Sequence, residues 1–193
     1  MTAFVLGNGV SRKGINLHEL RKYGRIYGCN ALYREFDPDV LVSTDPAISK
    51  EIQNSGWPQK TGHTHWTRKP FSDSGSLKLP PDYKGMSSGP NALNLACRDK
   101  ANHQTIYLLG FDLGTIDGAR FNNVYAGTEC YKDINSGPTF GGNWFNQIMR
   151  IMNENPKKQF FRVVTQHSRE YDKLKSIPNL KLMEKSDFQS LYK

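Results

Sequence analysis

A short apolar run that stops at a small polar residue recurs along this chain, and it restricts the fold more than any other feature. Ala3-Phe4-Val5-Leu6 stops at Gly7-Asn8-Gly9, Arg25-Ile26-Tyr27-Gly28-Cys29 at Asn30, Asp39-Val40-Leu41-Val42-Ser43-Thr44 at Asp45, and Thr105-Ile106-Tyr107-Leu108-Leu109-Gly110-Phe111 at Asp112. Runs this apolar, alternating with helical patterns, describe strands of a mostly parallel sheet covered by helices on its faces, an α/β fold. In such a sheet the ligand crevice lies outside the carboxyl ends of the strands, so the polar residues there converge on one place. Asn and Asp are also ordinary caps and turn formers. Their succession at one strand end after another favours a site.

The first of these ends is the most suggestive. Gly7-Asn8-Gly9 precedes Leu17-His18-Glu19-Leu20 at helical spacing, which reads as strand, tight turn, helix. A glycine turn lets backbone N–H groups approach an anion without a Cβ in the way, and the following helix adds its positive end, so the natural guest is a phosphate. The stretch is too short for the dinucleotide fingerprint and lacks the Gly-Lys-Ser/Thr of a P-loop; a plain strand-ending turn is the alternative. Met86-Ser87-Ser88-Gly89-Pro90 opens an amphipathic helix over 91–100, where hydroxyl and N–H donors suit a phosphate or carboxylate, with ordinary N-capping by Ser87 or Ser88 as the other reading.

With 193 residues and 37% hydrophobic content the chain can bury one substantial core, so a single domain over 1–193 is expected. No run reaches the length of a membrane span and the first residues lack a signal pattern, which predicts a soluble, cytoplasmic protein. Cys29, Cys97 and Cys130 are scattered, predicting reduced thiols and no zinc. The net charge of +8 makes this a basic protein and favours polyanionic partners: nucleic acid, nucleotides, acidic glycans or an anionic membrane surface.

Two stretches, 57–85 and 114–138, lose all periodicity and are expected to be long functional loops or lids walling an acceptor, with Trp66, Arg68, Arg120 and Tyr125 reaching the ligand. His63-x-His65 reads either as a metal pair or as a short strand with surface imidazoles. The stripe Trp144, Phe145, Ile148, Met149, Ile151, Met152 on a helix over 141–155 reads as core. A strand over 160–164 leads to His167, whose near-neutral reference pKa suits a general base.

Gly7-Asn8-Gly9-x-Ser11, then Gly28-Cys29-Asn30 with an aromatic at Tyr33, then Met86-Ser87-Ser88-Gly89 opening a helix, then Ile106-Tyr107-Leu108-Leu109-Gly110-Phe111-Asp112, occur in this order. Over residues 3–112 this resembles the small bacterial sialyltransferases that use CMP-sialic acid, and their motility-accessory and hydroxymethylpterin diphosphokinase-like relatives. The resemblance implies a Rossmann-like fold with a nucleotide across the strand ends: Gly7, Asn8 and Gly9 on phosphate and ribose, Asn30 on the nucleotide, and Ser87, Ser88 and Gly89 on the base or sugar side. Ser11, Arg12 and Asp45 complete the nucleotide-binding candidates.

The chain also departs from the sialyltransferases. Asp45 stands where they have Asn, Leu113-Gly114 follow Asp112 where they have a tyrosine, and Tyr125 and His167 are the nearest candidates for their second tyrosine and catalytic histidine. The expected activity is that of a nucleotide-sugar-dependent, glycosyltransferase-like transferase using a sugar nucleotide, a CMP-linked donor among the candidates, with a glycan, another acidic acceptor or a nucleic acid receiving the sugar. The leaving phosphate would be stabilised by the Gly7-Asn8-Gly9 amides and by a tyrosine or Arg12. His167, or else Asp112 or Asp45, would take the proton. Asp45 and Asp112, read as adjacent strand ends, also suggest a Mg²⁺-assisted phosphoryl or diphosphoryl transferase, and a non-catalytic nucleotide or nucleic-acid binder is the third reading.

Overall fold

The computed structural model describes residues 1–83, 85–137 and 141–192. Eight strands, β1 (Thr2–Leu6), β2 (Gly24–Cys29), β3 (Val40–Ser43), β4 (Thr64–Thr67), β5 (Leu77–Lys78), β6 (Thr105–Leu109), β7 (Gln159–Val164) and β8 (Leu180–Glu184), form one sheet. The helices are α1 (Leu17–Leu20), α2 (Pro46–Asn54), α3 (Trp57–Thr61), α4 (Ser88–Arg98), α5 (Gly141–Glu154), α6 (Asp172–Lys175) and α7 (Lys185–Leu191). The spatial order is β5-β4-β3-β2-β1-β6-β7-β8 with every neighbouring pair parallel, an α/β fold of the Rossmann-like kind.

The two faces explain why the central strands are apolar throughout. Ala3 and Val5 of β1 face one core together with Ala92, Leu93 and Ala96 of α4 and Ile148, Ile151 and Met152 of α5. Phe4 and Leu6 face the other, against Leu17 and Leu20 of α1, Ile48 and Ile52 of α2 and Phe188 of α7. Because strand side chains alternate, burying both faces removes polar residues from the whole run. The chain winds outward from β1 through β2, β3, β4 and β5, then returns to the other side of β1 with β6. The winding therefore reverses between β1 and β6, and in sheets of this kind ligands bind outside the carboxyl ends of the strands at such a reversal.

Three expectations change here. The stretch 57–85 is largely ordered structure, since it contains α3, β4, β5 and a 3₁₀ turn at Pro81–Tyr83. Its strands are too short, and too interrupted by Gly, Pro and Ser, to show a period, and they form only through the parallel ladder on β3. Lys84 within it lies outside the described residues, as does Pro138 at the end of the second stretch. After Gly9 the chain enters a 3₁₀ turn, Val10–Arg12, and α1 that follows is a single turn, so no long helix axis points at the first loop. Finally, His65 is no surface imidazole. It is fully buried on β4, its Nε2 2.8 Å from Ser43 Oγ and its Nδ1 2.8 Å from Ser76 Oγ.

Burial holds the His65 imidazole neutral, its pKa pushed down from 6.5 to about 4. The unfolded chain takes up a proton there near pH 6.5 and the folded one does not, so stability is complete above 6.5 and declines as pH falls toward 4. The loss is expected to reach about 3 kcal/mol. Urea unfolding at pH 7 and pH 4.5 should show it, and a His65→Gln protein should show a smaller difference between the two pH values. Among the described residues no helix is long and apolar enough to cross a membrane.

Candidate functional site

A cavity of about 400 Å³ opens at the carboxyl ends of β1, β2, β3 and β6, and it gathers most of the residues picked out at the strand ends. Gly7, Asn8, Gly9, Asn30, Asp45, Ser87, Ser88, Gly89 and Asp112 all line it. Ser11, Arg12, Tyr125 and His167 do not. The second irregular stretch walls it with Phe121, Asn122, Asn123, Cys130, Tyr131 and Lys132, whereas the first contributes none of the lining residues. Trp66 instead packs against the core, Arg68 donates to the carbonyl of Met86 at 2.9 Å, and Arg120 pairs with Asp117 on the surface.

The loop after β1 is held from within. Gly7 and Gly9 donate their N–H groups to the carbonyls of Leu109 and Gly110 at 2.8 and 2.9 Å, Val10 donates to Asn122 Oδ1 at 2.9 Å, and Ser11 to Asp112 Oδ2 at 3.0 Å. The amides of Gly7 and Gly9, expected to cradle a phosphate, are thus spent on β6 and its loop. What this end offers a ligand is acceptors: Asn8 Oδ1 and Asn30 Oδ1 are buried with no hydrogen-bond partner among the described residues. A buried carboxamide oxygen left unpaired is costly, and beside a cavity it marks where a ligand donor would sit.

Donors come from α4. Ser87 is its N-cap and Ser88 its first residue, and that turn opens on the cavity. The Ser87 N–H is taken by Gln147 Oε1 at 2.8 Å and Pro90 has none, so the amides this turn offers are those of Ser88 and Gly89, at a terminus the helix dipole makes favourable to an anion. Ser88 Oγ accepts from the Thr44 N–H at 2.9 Å and shares a second hydrogen bond of 2.9 Å with Thr44 Oγ1, which locks α4 to the end of β3. Lys132 adds a cation, and Phe111, Phe121, Tyr131 and Trp144 supply aromatic wall. Trp144, read from the sequence as core, thus has a second surface on the cavity.

Left-handed backbone recurs at this place. Five described non-glycine residues have φ in the left-handed region, and three of them, Asn30 at 53°, Leu113 at 58° and Cys130 at 66°, line the cavity. Such conformations persist where the surroundings over-determine them, and they gather at functional sites.

The catalytic candidates fare differently. Asp112 is buried, with Oδ2 accepting from Ser11 N–H and Oδ1 from Ser168 Oγ at 3.0 Å, so both carboxylate oxygens already tie loops together. Asp45 and Asp112 are not at adjacent strand ends: β2 and β1 lie between β3 and β6, three strand spacings or roughly 14 Å. The sequence order of the runs had hidden this, because β6 returns to the far side of β1. A Mg²⁺ ion held by both carboxylates does not fit this spacing. Among the described residues no three His, Cys, Asp or Glu side chains come together to hold a metal.

Tyr125 belongs to a cluster behind the loop. Arg12 Nη2 lies 2.6 Å from Glu35 Oε1 and 2.8 Å from the Tyr125 hydroxyl, which also donates to Glu35. Burial raises the Glu35 pKa, but the bonds from Tyr125 and Arg12 outweigh it and hold the carboxyl below its ordinary range; burial pushes the Tyr125 phenol far up. His167 is half-buried at the end of β7, where its carbonyl accepts from Asn122 Nδ2 at 3.3 Å.

Two residues that positioning depends on were not legible in the sequence. Asn122 bridges the loops after β1 and β7, and no periodicity marks it. Arg162 on β7 is buried under the loop after β6, donating to the carbonyls of Phe111, Asp112 and Arg169 at 2.9, 3.1 and 2.9 Å. An Arg inside an apolar run is the signal that could have found it, since a buried cation needs several acceptors. The wall 121–132 is fastened to the strand ends: Val124 N–H donates to the Asn8 carbonyl at 2.8 Å, Ala31 N–H to Tyr131 Oη at 3.2 Å, and Arg34 to Thr128 Oγ1 at 3.0 Å. All three cysteines are free thiols. Comparison with protein-family models, with curated proteins and with solved structures found no match for this chain.

Proposed function

We propose that this protein binds a nucleotide in the cavity at the strand ends and acts as a nucleotide-sugar-dependent transferase. The observation that carries the reading is the pairing, in one cavity, of two buried acceptors without partners, Asn8 Oδ1 and Asn30 Oδ1, with the open N-terminus of α4. The acceptors suit the N–H and O–H donors of a base or ribose, the helix terminus with Lys132 suits phosphate, and the aromatic wall suits a flat ring. In a transfer reaction the leaving phosphate gains charge, and α4 with Lys132 is placed to stabilise it, a role the internally bonded Gly7 and Gly9 amides leave open.

A non-catalytic nucleotide binder is the second reading, favoured by the placement of His167 and Tyr125 away from the cavity. At 100-fold excess over its dissociation constant, a bound nucleotide adds about 2.7 kcal/mol, so a melting-temperature rise of about 5–10 °C is expected. Asn8→Leu, which removes one acceptor, should abolish that rise. No shift with any nucleoside phosphate or sugar nucleotide would overturn the reading, and binding without release of free nucleotide across a panel of acceptors would decide for the binder.

A further inference from the structure

Asp45 has no partner that would explain it. It is the N-cap residue of α2, its carbonyl accepting from the Ser49 N–H at 3.0 Å, yet its carboxylate caps nothing and makes no hydrogen bond or ion pair with any described residue. It is exposed, and it lines the cavity. Its charge reaches inward: burial pushes the Cys29 thiol up to about 12 and the Tyr131 phenol up as well, and in both the negative charge of Asp45 works in the same direction. Cys29 and Tyr131 line the same cavity.

Its position decides what it can meet. The preceding residue, Thr44, is bonded to Ser88 in the first turn of α4, so Asp45 stands beside the terminus that favours phosphate. A ligand whose phosphate sits on α4 places the group next to that phosphate near Asp45. An ionised carboxylate only accepts hydrogen bonds. Hydroxyl groups satisfy it, whereas a second carboxylate a few ångströms away is repelled, most strongly at low salt.

Resting on the reading of the cavity as a nucleotide-sugar site, we infer that Asp45 selects a nucleotide carrying a neutral, hydroxyl-bearing sugar and rejects one whose sugar carries a carboxylate, sialic acid included. The substrate class is then set by one side chain at the end of β3. An Asn at position 45 would accept and donate alike and would discriminate by shape alone.

UDP-glucose and UDP-glucuronate form a matched pair differing in that one carboxylate, and calorimetry at low salt with a chelator present excludes a bridging cation. The parent protein should bind UDP-glucose about tenfold more tightly than UDP-glucuronate. Asp45→Asn, at an exposed side chain without a partner, should fold normally and bring the pair within about twofold. Equal affinities in the parent, or a preference that survives in Asp45→Asn, would overturn the inference. If UMP or CMP binds and neither sugar nucleotide does, the inference falls and the cavity is that of a nucleotide binder; equal affinities of the pair bring down the inference alone. If no nucleotide binds, the reading beneath it falls too.

Discussion

Gly110→Ala is expected to lower the unfolding free energy by about 3 kcal/mol and to remove nucleotide binding with it. Gly110 closes β6 with φ at +71°, and a Cβ built there would lie 2.7 Å from the carbonyl oxygen of Gly7 and 3.1 Å from its carbon. Both contacts are backbone at the end of a central strand, so neither can give way cheaply. Gly7 reciprocates, since a Cβ there would meet the Gly110 oxygen at 2.5 Å. Both glycines line the cavity, so the close approach of these two loop backbones forms part of its wall. Gly118 is the control: its φ is +81° but nothing lies within 4 Å of its Cβ, so Gly118→Ala should cost only the conformational part, about 1 kcal/mol. Equal midpoints for the two variants in urea would mean that the packing of β1 against β6 does not constrain the site. A Cβ at Gly9 would lie 2.4 Å from Asp112 Oδ2, so Gly9→Val would disturb the fold as well as the ligand.

Arg162→Met should cost about 3 kcal/mol. The replacement keeps the apolar stem and deletes the guanidinium donors to three carbonyls, of which that of Asp112 keeps a bond from the Arg169 N–H at 2.8 Å. Burial disfavours the charged guanidinium and lowers its pKa, while the nearby Asp112 carboxylate works the other way. The guanidinium ties the loop after β6, through Phe111 and Asp112, to the loop after β7, through Arg169, and the Arg169 N–H adds its own bond to the Asp112 carbonyl. Urea denaturation gives the loss directly. A Met variant as stable as its parent would show that the loop is held by Asp112 and its two partners alone.

How much could be read from the sequence divides along a physical line. The strands β1, β2, β3, β6 and β7 announced themselves because burial on both faces leaves almost nothing but apolar residues, and their ends placed Asn8, Asn30, Asp45 and Asp112 at one cavity. Short strands such as β5, with both residues exposed, carry no such mark. What could not be read was which neighbours the strands would choose. The separation of Asp45 from Asp112, the consumption of the Gly7 and Gly9 amides, and the placement of Tyr125 with Arg12 and Glu35 all depend on pairings between residues far apart in the chain. The buried Ser43–His65–Ser76 chain belongs to the same group: alternation predicted a strand, but only the ladder beside β3 sends that imidazole inward.

The central position of β1 also governs the order in which the molecule can be assembled. Its partner on one side begins at Gly24, paired with Thr2, but its partner on the other begins at Thr105, and the cover over Phe4 comes from the rings of Phe188 and Tyr192. Until β6 arrives, β1 is a bare edge with unpaired backbone groups, a surface that invites pairing with other chains. Contacts of this sequence separation slow folding, because loop closure precedes any reward. Gly7 and Gly110, which line the cavity from either side of that late pairing, meet only when it forms, so a chain without β6 in place carries no binding site and capture of ligand reports the joining of β1 to β6.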